Sequence, residues 1–129
     1  IHIIDETIRA CRERSPQGAW LTATLGTMRT NLYQDHGAAS GYRFRIPDAA
    51  MQERIHAVTD LVKAGRQDEA AARIRSIVET LWQEERIPVV CACTELPVAY
   101  RKAGLPADMA ISSLEALADG CLRELYKPL

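Results

Sequence analysis

The stretch Val89-Val90-Cys91-Ala92-Cys93-Thr94-Glu95-Leu96-Pro97 limits what this chain can fold into more than any other. It opens as a short apolar, β-branched run, the pattern of a buried strand, and switches within one residue to Cys-Thr-Glu, which starts a helix. A thiol at that junction lies at the carboxyl end of a strand, where open α/β sheets bind ligands, and near helix amides that stabilise a thiolate. Cys93 is therefore the candidate reacting atom.

The same alternation runs along the chain. Ile1 to Ile4 reads as the end of a strand or the start of a helix. Asp5 is a fair N-cap for a helix over Glu6 to Glu13, with Ile4, Ile8 and Cys11 on one face and Ser15-Pro16-Gln17-Gly18 as its stop. Ala19 to Leu25 reads as a strand leaving through Gly26-Thr27. Thr27 is expected to cap a helix from Met28 to Asp35 that Gly37 closes. Tyr42 to Ile46 alternates as a second strand. Pro47-Asp48 starts a helix carrying Ile55, Val58, Leu61 and Val62, which stops at Gly65. Asp68 to Glu85 is a long amphipathic helix with Ala71, Ile74, Ile77, Val78 and Leu81 as its apolar stripe. Beyond Pro97 the helix runs to Lys102, Met109-Ala110-Ile111 is a last short strand, and Ser112-x-x-Glu115 opens a terminal helix. Leu114, Leu117, Cys121, Leu122 and Leu125 are the expected buried face of that helix. Strands alternating with helices predict an α/β fold, an open and mostly parallel sheet sandwiched between helices.

Composition excludes several function classes. The 129 residues make one domain's worth of chain, and a 47% apolar fraction is enough to bury a core. Lys and Arg are balanced by Asp and Glu to a net charge of -1, so no basic groove for nucleic acid is expected. No apolar run approaches the length that crosses a bilayer, and no basic segment precedes an apolar one, so the expectation is a cytoplasmic protein with no membrane partner. Cys11, Cys91, Cys93 and Cys121 are too few and too irregular for a disulfide scaffold. The amino-terminal Ile-His-Ile-Ile, without a methionine, reads as the inside of a fold and gives the expectation of a fragment.

Each candidate residue has a plain structural role beside its chemical one. A free cysteine is often a small apolar core residue, and Cys91, on the same strand face as Cys93, is expected to be that. A Cys-x-Cys metal site would need further ligands at the right spacing, and none is present, so no metal is expected. Thr94 offers a hydroxyl for a carboxylate or simply a helix cap. Glu95 suits a helix's first turn or a substrate ammonium. Gly26-Thr27 repeats the arrangement at another strand end, which would suit a small dicarboxylate. Lys63 closes a helix, where a solvated lysine is favoured by the dipole. His2, His36 and His56 show no partner pattern and read as surface residues.

Ala92-Cys93-Thr94-Glu95-Leu96-Pro97 resembles the Gly-Cys-Thr-Glu-Leu-Pro signature of the aspartate/glutamate racemase family. Leu21-Thr22-Ala23-Thr24-Leu25-Gly26-Thr27-Met28 with Leu32-Tyr33-Gln34 resembles that family's strand and Gly-Thr turn at the start of its second lobe. Val62-Lys63-Ala64-Gly65, with Lys63 thirty residues before Cys93, resembles its Lys-x-Gly segment. The likeness runs over nearly the whole chain but covers only the carboxyl-terminal half of a family member.

The resemblance implies one lobe of a two-lobed enzyme with the active site between lobes, each giving one catalytic residue, and no pyridoxal phosphate, other cofactor or metal. It implies a helix joining from a missing amino-terminal lobe over residues 1–17, the second-lobe domain over 18–110, and a strand and helix over 111–129 returning towards the first lobe. It implies Cys93 as one acid/base, Thr94, Thr27 and Gly26 at the substrate carboxylate, Glu95 beside them, and Lys63 on the side-chain carboxylate of an acidic amino acid. The implied reaction interconverts L and D forms by two-base proton transfer at Cα, which needs fixed donors at the α-carboxylate. A homodimer is implied by resemblance alone. Ala92 departs from the family's glycine and adds a methyl next to Cys93; Arg86-Ile87-Pro88 also departs, at a distance from the site. Two rivals stand beside this reading. One is a cysteine-dependent decarboxylase or cis-trans isomerase of dicarboxylic acids, and the other is a non-catalytic lobe that binds acidic metabolites or dimerises.

Overall fold

The computed structural model describes residues 2–127, so the sequence reading of Ile1 lies outside the described residues. In chain order the elements are α1 (Ile3–Arg14), β1 (Ala19–Thr22), α2 (Leu25–Thr30), α3 (Leu32–Ala39), β2 (Phe44–Arg45), α4 (Ala49–Lys63), α5 (Gln67–Glu84), β3 (Val89–Cys91), α6 (Leu96–Lys102), β4 (Ala110–Ser112) and α7 (Ser113–Leu125). The four strands form one sheet in the order β2-β1-β3-β4, parallel throughout. The α/β expectation holds, and the continuous apolar strands follow from burial on both faces.

Strand alternation divides the core in two. Trp20, Val89 and Cys91 face Ile55 and Val58 of α4 and Ile74, Ile77 and Val78 of α5. Leu21, Val90 and Ile111 face Ile4, Ile8 and Cys11 of α1 and Tyr33 of α3. Each fully buried aliphatic side chain contributes about 1.5–3 kcal/mol through removal from water, so the two layers hold the sheet from both sides.

The crossover from β2 to β3 uses two helices rather than one. Asp48 caps α4 by accepting the Met51 amide at 2.8 Å. The hairpin between α4 and α5 turns at Gly65, whose φ of 77° is in the left-handed region. Since α5 must descend to the amino end of β3, this turn, and Lys63 just before it, lie at the sheet's carboxyl end.

Four expectations change. First, α1 starts at Ile3 rather than Glu6, because the His2 ring accepts the Ile4 amide at 3.2 Å and caps the helix in place of Asp5. Second, the helix expected over Met28 to Asp35 is two helices, broken at Asn31, which takes a φ of 56° that asparagine tolerates. Third, Gly37 ends no helix: it is buried within α3, where a Cβ would stand 2.8 Å from the Phe44 ring.

Fourth, α7 is turned away from the face its leucines suggest. Its buried residues are Ser113, Ala116 and Gly120, while Leu114, Leu122 and Leu125 are 45%, 51% and 73% exposed. Cys121 is exposed as well. The small stripe lets α1 approach closely, with the Glu6 side chain over Gly120 and paired with Arg123. At its head, Ser113 meets Thr7 of α1 and Tyr33 of α3, both at 3.0 Å, in a buried hydroxyl cluster. A leucine count misses this because helix contact rewards close approach and satisfied hydroxyls as well as apolar area.

The two faces of α7 can be told apart by chemical denaturation. Ser113→Ala leaves the buried Tyr33 hydroxyl short of a partner and is expected to cost about 1–3 kcal/mol. Leu122→Ser on the exposed ridge of this chain is expected to change stability by no more than about 0.5 kcal/mol.

Candidate active site

Cys93 continues the period of Val89 and Cys91, so its half-buried side chain packs on the same core face as theirs. The chain does not pass straight from strand to helix here. Residues 93–95 form a turn, α6 begins at Leu96, and Thr94 is therefore not the cap that its position in the sequence implies. Glu95 holds the cap position without a side-chain cap bond, and the Cys93 sulfur two residues earlier accepts the first helical amide, that of Leu96, at 3.4 Å. Pro97, in the first turn of α6, has no amide that needs a partner. Ala92, in the place of the expected glycine, points its methyl into the α1-side core, and its amide bonds Thr22 O at 2.9 Å, prolonging the β1–β3 ladder.

Two of the residues singled out by sequence gather around the carboxylate of a third. The Thr94 hydroxyl donates to Glu95 Oε2 at 2.7 Å, and Lys63 Nζ stands 3.9 Å from Glu95 Oε1. The Thr94 hydroxyl, with smaller help from Glu95's own amide and Lys63, holds the Glu95 carboxyl below the usual carboxylate range. Burial pushes the Cys93 thiol up; the Leu96 and Glu95 amides oppose this, and the Glu95 carboxylate adds to it. Cys91, on the strand below, behaves as the sequence suggests: it is buried, and burial pushes its thiol up to about 12. Cys93 differs by standing at the surface among hydrogen-bond donors.

The neighbouring strand ends in a second turn. The parallel register of Thr22 with Cys91 sets residues 23–27 beside residues 92–96. Thr24, not Thr27, caps α2: its Oγ1 accepts the Thr27 amide and donates to Thr27 Oγ1, both at 3.2 Å. Thr27 is thus in the helix's first turn, and its own hydroxyl proton is left free for another acceptor. Gly26 is exposed beside it. The helices opened by the two turns are only six and seven residues long, so the donors that matter are these local groups and not an axial dipole.

Sequence reasoning missed one member of this region. His56 of α4 was expected to be an unpartnered surface residue, yet its Nδ1 accepts the Leu25 amide at 3.0 Å and its Nε2 lies 3.8 Å from Asp60 Oδ2. No local pattern announces a contact between residues 31 apart in the chain. His36 likewise has a partner, Asp5 at 3.1 Å, away from this site. One helix therefore touches both strand exits, through His56 and, two turns on, through Lys63. Among the described residues, no three His, Cys, Asp or Glu side chains gather as a metal site. No helix there is long and apolar enough to cross a membrane.

Residues 1–120 match the family described as Asp/Glu/Hydantoin racemase. A relative from Pectobacterium carotovorum subsp. carotovorum, an uncharacterised protein of the pnlA 3' region, is 28% identical over 98 residues, which are 76% of this chain and 65% of that one. The fold is similar to that of Picrophilus torridus aspartate racemase, with a TM-score of 0.79 and 24% identity over 100% of this chain and 54% of the other. It is also similar to an aspartate racemase homologue from Pyrococcus horikoshii OT3, with a TM-score of 0.81 and 20% identity over 96% of this chain and 55% of the other. The chain thus spans about half the length of these solved structures.

The thiol's surroundings can be read by alkylation in a Cys121→Ser background, which removes the exposed competitor. The Glu95 charge disfavours the thiolate, so Glu95→Gln is expected to speed iodoacetamide modification of Cys93 at neutral pH while Cys11 and Cys91 stay unreactive. Peptide mass mapping checks both.

Proposed function

The chain belongs to the Asp/Glu/Hydantoin racemase family, and on that premise we propose that it supplies one half of the active site of a racemase for aspartate, glutamate or a close analogue. The observation that carries this reading is the grouping of a half-buried thiol, a threonine hydroxyl, a carboxylate and a lysine ammonium at the carboxyl end of β3. A hydantoin ring has no carboxylate to engage Lys63, Thr94 and Thr27, so an open-chain acidic amino acid suits these donors better.

The chemistry is proton transfer at Cα without a cofactor. The α-proton of an amino acid is very weakly acidic, and its removal requires fixed donors where charge builds on the α-carboxylate. Thr94 and Thr27, with the exposed turn at Gly26, serve that carboxylate, and Lys63 serves the one on the side chain. Glu95, freed from Lys63 by the arriving substrate, faces the ammonium. Burial and the Glu95 charge favour the protonated thiol, the form in which Cys93 returns a proton to Cα. A base on the opposite face removes the other hydrogen, and microscopic reversibility exchanges the roles in the reverse direction.

That opposing base comes from a second polypeptide segment, the amino-terminal half of a two-lobed enzyme. The exposed ridge of Leu114, Leu122 and Leu125 on α7 offers apolar surface for its packing. In this reading residues 1–17 and 111–129 join the two halves, and 18–110 form the lobe proper.

Incubation of the protein in its full-length context with L-aspartate or L-glutamate in deuterated water is expected to give the D form carrying deuterium at Cα. Cys93→Ala is expected to lower the rate by about 10²–10⁴-fold. Lys63→Met removes a charged contact and is expected to raise KM by about 10–100-fold with a smaller change in kcat. Carbon dioxide release or double-bond isomerisation of a dicarboxylic acid, without α-deuteration of either amino acid, would transfer the site to the rival carbanion chemistries.

A further inference from the structure

We infer that His56 is a positioning residue, which holds the turn between β1 and α2 in the shape that presents Thr27 to the substrate carboxylate. The inference rests on the racemase reading above and adds to it a residue outside the two strand-end motifs. Leu25 is the first residue of α2, and its amide has no acceptor within the helix. In this chain the acceptor is His56 Nδ1, at 3.0 Å, reaching across from α4. The next donors follow in a chain: the Thr27 amide goes to Thr24 Oγ1, and the Thr24 hydroxyl goes to Thr27 Oγ1. Fixing the Leu25 amide fixes the peptide plane between Thr24 and Leu25, and with it the direction in which the free Thr27 hydroxyl points.

The contact demands a particular form of the ring. Nδ1 must be the unprotonated nitrogen to accept an amide, so the hydrogen sits on Nε2, on the side of Asp60 Oδ2 at 3.8 Å. The backbone that carries the ring is also tied down: the His56 carbonyl accepts the hydroxyl of buried Thr59 at 2.6 Å. The Leu25 amide is part-buried, so the ring both satisfies it and gives it a fixed direction, and a structural role and a positioning role differ in whether substrate binding follows the contact.

The test compares His56→Ala with His56→Asn, whose side-chain oxygen falls where Nδ1 stands and accepts the same amide. Two readouts are taken on the full-length protein: hydrogen exchange at the Leu25 amide, and steady-state kinetics with aspartate and glutamate. In His56→Ala the amide is expected to exchange at least about 10-fold faster and KM to rise by about 5–10-fold, as for loss of one modest hydrogen bond, with kcat less affected. His56→Asn is expected to restore both. Unchanged Leu25 exchange in His56→Ala overturns the inference, and so does faster exchange with an unchanged KM, or a His56→Asn variant as impaired as His56→Ala. A wild-type protein that racemises neither amino acid is a different result: it removes the racemase reading, and the inference with it, whatever the Leu25 amide does.

Discussion

Parallel pairing of β1 with β3 is the constraint on which the site depends. Thr22 opposite Cys91, prolonged by the Ala92 amide on Thr22 O, forces both strands to end at the same level, so that two turns emerge side by side. Parallel strands need a crossover, and the one that carries the chain from β2 past β1 to β3 is a helical hairpin. Because that crossover is a pair of helices, the carboxyl end of α4 comes back up to the strand exits, and a lysine far from the cysteine in sequence reaches the same carboxylate as Thr94. With a single crossover helix running down to β3, the last turn would stand at the wrong end of the sheet.

Much of this was legible in the residues because the signals are local. Short apolar or alternating runs closed by turns gave the strands, Gly65 gave the hairpin, and the stripe of Ile74, Ile77, Val78 and Leu81 gave the inner face of α5. The cysteine stood out because a strand pattern stopped beside a polar turn. What escaped is what arises between elements. Thr24 and Thr27 both satisfy the preferences of a cap, and the choice between them depends on where β1 leaves the sheet. The ring of His56 meets a backbone amide across the fold. The head of α7 is governed by three hydroxyls from three helices, a cluster invisible to any hydropathy pattern.

The misread of α7 is instructive about what hydropathy measures. Its leucines do form a stripe, but that stripe lies to one side of the residues that touch α1. A helix with small residues towards one neighbour and leucines towards open space has two working faces. Among the described residues the first face is covered by α1 while Leu114, Leu122 and Leu125 stay exposed.

Glu95 gives the site a tenant of its own. Thr94 and Lys63 both attend its carboxylate, so on the proposed reading an acidic ligand gains their contacts by exchange, one anion for another. Exchange of this kind tempers affinity, because part of each new bond replaces an old one. On that reading charge count becomes the criterion for admission: a ligand that leaves a cation beside the displaced glutamate is favoured, as amino acids can and simple dicarboxylates cannot.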